Sequence, residues 1–274
     1  MCGLAGVLLE PKERSAETWE AIRRAFVQNL LANQERGKEA SGVARIQRDG
    51  SCHLYKSPLP AEQLVAQRAF QNLLAGLDAN TTALLGHTRA PTKGTPAHNG
   101  NNHPLWVGHV VGIHNGHVEN DDDLFERLRF QRRWDVDSEI IFQILNHLHP
   151  DLLGDLYPYA IGHSLRLLEG KFTLMAVDLR QPYRLIVVRQ ANPLSFHYHA
   201  AWGAIFFSSR YLFLRRVFGR DVRTEILRDG TIYLFDSHAL SVGPVQRIRI
   251  GFERPHLHRP AAFVLPNTPP PIPR

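Results

Sequence analysis

The chain has 274 residues, of which 43% are hydrophobic and 21% charged, and its formal net charge is +6 at neutral pH. This composition is that of an ordinary globular protein and excludes wholesale disorder, collagen-like repeats and a coiled coil. The basic residues are scattered, no apolar stretch is long enough to span a membrane, and the N-terminus lacks the basic-then-apolar layout of a secretory signal. We therefore expect a cytoplasmic protein with no membrane partner, and nucleic-acid binding is permitted but not predicted.

The first part of the chain is predicted to alternate strands and helices. Ser15 is the expected N-cap of the first helix, and Asp49-Gly50 is the expected turn of a hairpin. The predicted elements are a strand at 4–9, a helix from 15 to about 33, a hairpin at 43–46 and 52–55, a helix at 61–77, a strand at 82–87, a loop at 91–104 and a strand at 107–114.

The second part is predicted to be mostly strands. Three helices are expected first, at 121–129, 138–148 and 155–168. The strands that follow are expected at 172–177, 184–188, 194–198, 204–208, 226–235 with a break at 229–230, and 239–248. Many strands with few helices, and no regular βαβ order, indicate an α+β sandwich. We predict one domain at 1–250 and a proline-rich C-terminal tail at 251–274.

A cysteine directly follows the initiator methionine. The chain has only two cysteines, Cys2 and Cys52, which are too few for a disulfide framework. Methionine before a small residue is usually removed, and Cys2 would then carry both a thiol and a free α-amino group. An α-amine with a pKa of ~7.7–8.0 can accept the thiol proton directly or through water. The N-terminus therefore predicts a cysteine nucleophile with its own base.

Three further segments place polar groups beside predicted strands and helices. Gly86-His87-Thr88-Arg89 ends in a fixed cation, His114-Asn115-Gly116 is expected to follow a strand, and Asp137-Ser138-Glu139 opens a helix. Each segment alone has an ordinary explanation: a surface ion pair for Arg89, a hairpin turn for Asn-Gly, and an N-cap for Asp137. Only the ordered set, together with Cys2, predicts a site.

This ordered set resembles the motifs of the class II glutamine amidotransferases, a family of N-terminal nucleophile enzymes. The resemblance extends to about Phe235. It implies a four-layer αββα N-terminal nucleophile hydrolase sandwich, with a glutamine amidotransferase type 2 domain at 1–250. The segments that carry it are Met1-Cys2-Gly3, Arg36-Gly37 with Ser41-Gly42, Gly86-His87-Thr88-Arg89, Asn102-His103-Pro104, His114-Asn115-Gly116 with Asn120, and Asp137-Ser138-Glu139.

The resemblance also implies the chemistry of the site. Cys2 would attack the side-chain amide of glutamine, release ammonia, and form a γ-glutamyl thioester that water hydrolyses to glutamate. Asn115 and the backbone N–H of Gly116 would form the oxyanion hole. Arg89 would bind the α-carboxylate of glutamine and Asp137 its α-ammonium, because a zwitterion needs one fixed cation and one fixed anion.

The resemblance adds two substrate contacts, Thr92 and His103, and implies no cofactor. The many histidines between 87 and 117 lack the spacing of a zinc hydrolase, so no metal site is expected. Few residues follow the last recognised strand, so the ammonia is expected to pass to a separate partner protein.

Several departures from the family pattern leave other functions open. Ala90 stands where many relatives have tryptophan, Lys93 replaces a second histidine, and Ala40 replaces an aspartate. One alternative is a hydrolase of another γ-glutamyl amide. A second is a non-catalytic binding or structural module of a larger assembly, for which retention of Met1 would be the signature. A third is a basic accessory protein bound to nucleic acid or a larger complex.

Overall fold

Two antiparallel sheets packed face to face form the centre of the computed structural model, which describes residues 1–250. The strands are β1 (Gly3–Leu9), β2 (Ala40–Gln47), β3 (Cys52–Ser57), β4 (Thr81–Arg89), β5 (Leu105–Val107), β6 (Val110–Val118), β7 (Gly170–Asp178), β8 (Arg184–Arg189), β9 (Ser195–His199), β10 (Ala204–Ser208), β11 (Glu225–Ile226), β12 (Thr231–Asp236) and β13 (Gln246–Arg249). The helices are α1 (Ala16–Asn33), α2 (Ala61–Leu64), α3 (Arg68–Ala75), α4 (Asp121–Arg127), α5 (Glu139–His147), α6 (Pro150–Leu153), α7 (Tyr157–Ser164) and α8 (Tyr211–Phe218).

In the part of the chain that the structure describes, the two sheets contain seven and six strands and lie between two layers of helices. The first sheet has the order β11-β9-β10-β1-β4-β2-β3, and the second has the order β13-β12-β8-β7-β6-β5. Leu8 of β1 and Ile113 of β6 belong to one apolar core between the sheets. Phe26 of α1 packs on the outer face of the first sheet, and Phe142 of α5 on the outer face of the second. The four layers are therefore αββα, as the resemblance implied.

The first helix and the first hairpin form as the sequence predicts. Ser15 caps α1 by accepting a hydrogen bond from the backbone N–H of Thr18, which satisfies one of the free donors of the first turn. In the hairpin between β2 and β3, Gly50 has φ +81° and the Asp49 carboxylate accepts from the backbone N–H of Ser51. Local sequence chemistry is sufficient at both places.

The prediction of one continuous helix at 61–77 is wrong. The segment forms two helices, α2 and α3. Leu64 and Phe70 both pack in the core beneath the first sheet. On one straight helix, residues six positions apart would point about 120° away from each other. A break between them lets both side chains face the sheet.

The strand predicted at 107–114 is a hairpin instead. The chain turns at Gly108, which has φ +56°, and continues into β6 as far as Val118. His114-Asn115-Gly116 consequently lies inside β6 and forms neither a hairpin turn nor the end of a strand. The strand predicted at 239–248 is shortened to β13, and the helix predicted at 155–168 to α7.

Two further sequence predictions concern the C-terminal tail and the absence of a membrane-spanning segment. The proline-rich tail predicted at 251–274 lies outside the described residues, so the boundary at 250 stays a prediction. Within residues 1–250, no helix combines the length and the apolar character that crossing a bilayer requires.

The contact between β6 and α5 gives a stability prediction. A Cβ added at Gly112 would lie 2.1 Å from Cε1 of the buried Phe142 ring, so Gly112→Ala should lower the free energy of unfolding by about 1–3 kcal/mol. Gly162 in α7 is the control, because its added Cβ would meet Ile232 and Ile248 at an ordinary 3.5 Å. Gly162→Ala should raise stability by ~0.5–1 kcal/mol. Urea denaturation measures both, and equal stability of Gly112→Ala and the parent would contradict the packing argument.

Candidate active site

The candidate nucleophile lies beside the candidate cation at one end of the first sheet. The register pairs Gly3 of β1 with Thr88 of β4, so Cys2 adjoins the last residue of β4, Arg89. Leu4 belongs to the core between the sheets, and side chains alternate along a strand, so the Cys2 side chain continues the inward-facing row. The same alternation applies to β4, where Leu85 faces inward and Arg89 follows at the same parity.

Asn115 approaches from the second sheet. Val111 and Ile113 of β6 face the first sheet, and alternation places Asn115 on the same side. Its side chain is fully buried, and neither its Oδ1 nor its Nδ2 has a hydrogen-bond partner. Leaving a buried amide unpaired typically costs about 1–3 kcal/mol, so an amide in this state is available for a ligand.

The backbone around Asn115 is held tightly. The Asn115 carbonyl accepts a hydrogen bond of 2.9 Å from Nδ2 of Asn192. The next residue, Gly116, has φ +152°, and a Cβ there would lie 1.7 Å from the carbonyl oxygen of Lys171. Only glycine fits, because any side chain would collide with the neighbouring strand.

The Cys2 thiol is buried and contacts the backbone of the residue after β4. The Ala90 N–H donates to Sγ at 3.4 Å, and Sγ lies 3.5 Å from the Ala90 carbonyl oxygen. Burial raises the pKa of the thiol, while the Ala90 N–H, the N-terminal charge and Arg89 act to lower it and Asp137 acts to raise it. The thiol is therefore protonated at neutral pH and needs a base before it can attack.

The N-terminal strand is fixed from Cys2 onward. Nε of Arg36 donates to the Cys2 carbonyl at 2.8 Å, and Nη2 of the same side chain lies 3.6 Å from Sδ of Met1. Ser209 and Leu4 exchange two hydrogen bonds, of 2.8 and 3.0 Å. Met1 itself is 66% exposed, so the fold holds residue 2 in place without relying on residue 1.

Arg89 is oriented by the loop that follows it. Its Nη1 donates to Oδ1 of Asn102, and its Nη2 donates to the carbonyl oxygens of Lys93 and Gly94, each at 2.8 Å. A guanidinium has five N–H groups, so two remain for a carboxylate. Asn102 is held in turn by Lys56, whose ammonium donates to the Asn102 carbonyl at 2.6 Å. Burial, with the charge of Arg89, lowers the pKa of Lys56 to about 8.

Asp137 supplies a buried carboxylate near the thiol. Its Oδ2 accepts a 2.7 Å hydrogen bond from the Val118 N–H and lies 3.3 Å from Nδ1 of His117. Asp137 does not cap α5, because the residue at the N-cap position is Ser138. The hydroxyl of Ser138 is instead 3.0 Å from Nε2 of His103.

Two of the substrate contacts implied by the resemblance occupy quite different places. His103 is buried, and its ring centroid lies 4.4 Å from that of His87. Burial holds the pKa of His103 well below its usual value and lowers that of His87 to about 3, so both rings are neutral. Thr92 is exposed on the loop after β4 and makes no hydrogen bond to the other described site residues. Its role as a substrate contact stays a prediction.

Lys93, which replaces a family histidine, anchors the loop after β4. Its ammonium lies 2.7 Å from the carboxylate of Asp121 and 2.9 Å from that of Asp122, at the start of α4. Burial lowers the pKa of Lys93, but the two carboxylates outweigh it and the net shift is upward. The run of acidic residues at 121–123 could have signalled this contact, because a lysine within reach of a helix N-terminus needs such partners.

Among the described residues, no cluster of histidine, cysteine and acidic side chains has the arrangement of a metal site. The buried histidines are packed as neutral rings instead. The site thus contains a thiol, an unpaired amide, a guanidinium with free donors and a carboxylate. All four groups belong to the motifs identified in the sequence.

No family model matches the sequence. The chain is 28% identical over 229 residues to a glutamine–fructose-6-phosphate aminotransferase of Pseudomonas aeruginosa, covering 82% of this chain and 34% of that protein. It is 26% identical over 216 residues to a 7-cyano-7-deazaguanine synthase of Sulfolobus acidocaldarius, covering 76% of this chain and 43% of that one. The chain thus spans less than half the length of these relatives.

A solved structure has the same fold. A glutamine phosphoribosylpyrophosphate amidotransferase from B. subtilis superposes with a TM-score of 0.67 at 19% identity, over 92% of this chain and 50% of that one. The sequence relatives are class II glutamine amidotransferases, and the chain is similar to them over most of its length. Its four layers are those of the N-terminal nucleophile hydrolase fold.

Proposed function

We propose that this protein hydrolyses the side-chain amide of glutamine and supplies the ammonia to an acceptor site outside residues 1–250. The observation that carries the proposal is the buried Asn115 amide, whose donor and acceptor both lack a partner. It lies on the strand face that looks toward Cys2 and Arg89. An oxyanion formed by attack of the thiol would accept from Nδ2 of Asn115 and from the Gly116 N–H.

The proposed reaction balances as acyl transfer through a thioester. The α-amine of Cys2 accepts the thiol proton, and Sγ forms a bond to the side-chain carbonyl carbon of glutamine. The tetrahedral intermediate collapses when the α-ammonium returns the proton to the departing nitrogen, which leaves as ammonia. Water then attacks the γ-glutamyl thioester and restores the thiol with release of glutamate. Arg89 and Asp137 hold the α-carboxylate and α-ammonium of the substrate throughout.

Removal of Met1 is part of this proposal. The exposed Met1 is accessible for processing, and the new terminal amine would belong to a residue that Arg36 already holds by its carbonyl. In the unprocessed chain the nitrogen of Cys2 is a peptide nitrogen, which is not a base. The buried, protonated thiol explains why that base is needed.

The small side chain at Ala90 favours a second candidate substrate, an N-substituted γ-glutamyl amide. The thiol sits against the backbone of Ala90, a small side chain that is partly exposed. An N-substituted γ-glutamyl amide would therefore meet little steric resistance on this side. Comparing kcat/KM for glutamine with that for γ-glutamyl dipeptides separates the two candidates, because the better substrate identifies the natural leaving group.

The oxyanion-hole role of Asn115 can be tested directly. Asn115→Ala should lower kcat for ammonia release by about 10²–10³. Thermal stability should not fall through lost hydrogen bonds, because the side chain makes none. Asn146→Ala is the control, since Asn146 contacts the backbone of the exposed residue His109 outside the site and its loss should leave kcat unchanged. An unaltered kcat in Asn115→Ala would contradict the assignment.

The nucleophile and its processing can be tested by intact-mass spectrometry. The purified protein should lack Met1 and should gain one adduct from a glutamine-analogue electrophile. Cys2→Ala should gain none and release no ammonia, whereas Cys52→Ala should behave as the parent. Full glutaminase activity in a protein that retains Met1 would refute the α-amine as the base, and would leave the thiol itself to be judged by Cys2→Ala.

The electrostatic effect of Asp137 on the thiol gives a pH prediction. The Asp137 carboxylate acts to raise the pKa of Cys2, so Asp137→Asn should lower that pKa and shift the alkylation rate profile with iodoacetamide to lower pH. Peptide mapping distinguishes Cys2 from Cys52, whose burial raises its pKa to about 12 and which should stay unlabelled as an internal control. A profile shifted to higher pH would show that the carboxylate does not face the thiol.

A further inference from the structure

A cleft opens between the two sheets at one edge of the sandwich. Within residues 1–250, β11 is the end strand of the first sheet and β13 the end strand of the second. Two adjoining cavities of about 360 and 310 Å³ lie between these strands and share Phe196, Glu225, Pro244 and Arg247. We call this region the arginine cleft, because four arginines line it: Arg223, Arg228, Arg247 and Arg249.

Among the residues that the structure describes, positive charge exceeds negative charge in the arginine cleft. Its four arginines are all exposed, and none forms an ion pair with another described residue. The acidic residue lining the two cavities is Glu225, which leaves a local excess of positive charge. Like charges repel one another, so an anionic occupant would be attracted to the cleft and would relieve that repulsion.

The strand register explains why the two arginines of β13 face the opening. Ile248 is buried and lies against Gly162 of α7, and its neighbours Arg247 and Arg249 take the opposite face. Arg247 pairs with Tyr233 of β12, which belongs to the core between the sheets. The edge of that core is therefore closed by charged side chains where apolar ones would be expected.

The rim of the arginine cleft is apolar and carries strand edges. Ile226, Val242 and Val245 are 58%, 69% and 42% exposed. An extended polypeptide could pair with the edge of a strand, cover these side chains and bring carboxylates to the arginines. Nucleic acid fits less well, because the aromatic rings of Phe196 and Tyr233 are only 4% exposed and offer no surface for base stacking.

The arginine cleft is connected to the active site by a short run of hydrogen bonds. The N–H of Leu227, a cleft residue, donates to the Leu194 carbonyl at 3.0 Å. Two residues earlier, Asn192 donates to the carbonyl of Asn115. A partner seated in the cleft would thus lie beside the segment that supports the oxyanion hole.

We propose that the arginine cleft docks an extended acidic segment of a partner protein. Charge complementarity and the apolar rim together specify an occupant in which carboxylates alternate with branched apolar side chains. That the partner is the ammonia acceptor rests on the proposed function, whereas the docking itself does not.

The test uses fluorescence anisotropy with the full chain. The probe is a fluorescein-labelled peptide of alternating glutamate and valine, titrated at low and raised salt. The parent should bind it, and salt should weaken binding. The double variant Arg247→Glu, Arg249→Glu should bind at least about ten-fold more weakly, since two ion pairs to the peptide are lost and each charge reversal also adds repulsion. The double variant Arg24→Glu, Arg68→Glu has the same net charge, changes exposed arginines on α1 and α3, and should bind as the parent does.

Each other outcome overturns the proposal. Equal binding by the two double variants would mean that only net charge matters, and no binding by the parent would remove the site. Equal binding of a lysine–valine peptide would exclude the stated chemistry. Tighter binding of a single-stranded RNA, lost in the cleft variant, would assign the cleft to nucleic acid, and self-association lost in that variant would assign it to a second copy. Glutaminase activity measured on the same samples separates a failure here from a failure of the proposed function.

Discussion

The site depends on the pairing of β1 with β4 in the middle of the first sheet. Because β1 is held on both sides, by β4 and by β10, the residue that precedes it cannot fray as chain termini usually do. Cys2 is thereby fixed beside Arg89, and Arg36 holds its carbonyl from a third direction. The proposed role of Cys2 as a nucleophile requires such a constraint, because a freely moving terminus would not hold the thiol beside a substrate.

The facing sheet completes the site by the same rule of alternation. Asn115 belongs to an inward-facing row whose other members, Val111 and Ile113, are core residues. A buried amide in that row destabilises the core unless something binds it. The protein retains this cost at one end of the sandwich, where Cys2 and Arg89 end the corresponding rows of the first sheet. Under the proposed function, the residue that destabilises the core is also the one that binds the substrate.

The candidate active site and the arginine cleft share a physical feature. At the candidate active site and at the arginine cleft, polar or charged side chains occupy strand positions whose counterparts elsewhere in the sheets are apolar. In the first case the groups are buried, as with Asn115 and Arg89, and under the proposed function they bind a small zwitterion. In the second they are exposed cations, as with Arg247, and they suit an extended anionic chain. The two proposals thus assign different classes of occupant to two regions that differ in exposure.

The sequence by itself determined which residue types the candidate site contains and which family motifs carry them. It also determined the helices, strands and turns that local sequence patterns predict. Interactions between residues a few positions apart are sufficient for the Ser15 cap, the Asp49-Gly50 hairpin and most of the strands. The sequence also indicated four layers, through the family resemblance.

The tertiary structure alone decided how these pieces meet. It split 61–77 into two helices because Leu64 and Phe70 must reach the same sheet, and it placed His114-Asn115-Gly116 inside a strand although Asn-Gly favours a turn. It set His103 against His87 and Ser138, and it gave Lys93 its acidic partners. These outcomes depend on contacts between residues far apart in the chain, whose energies no local pattern contains.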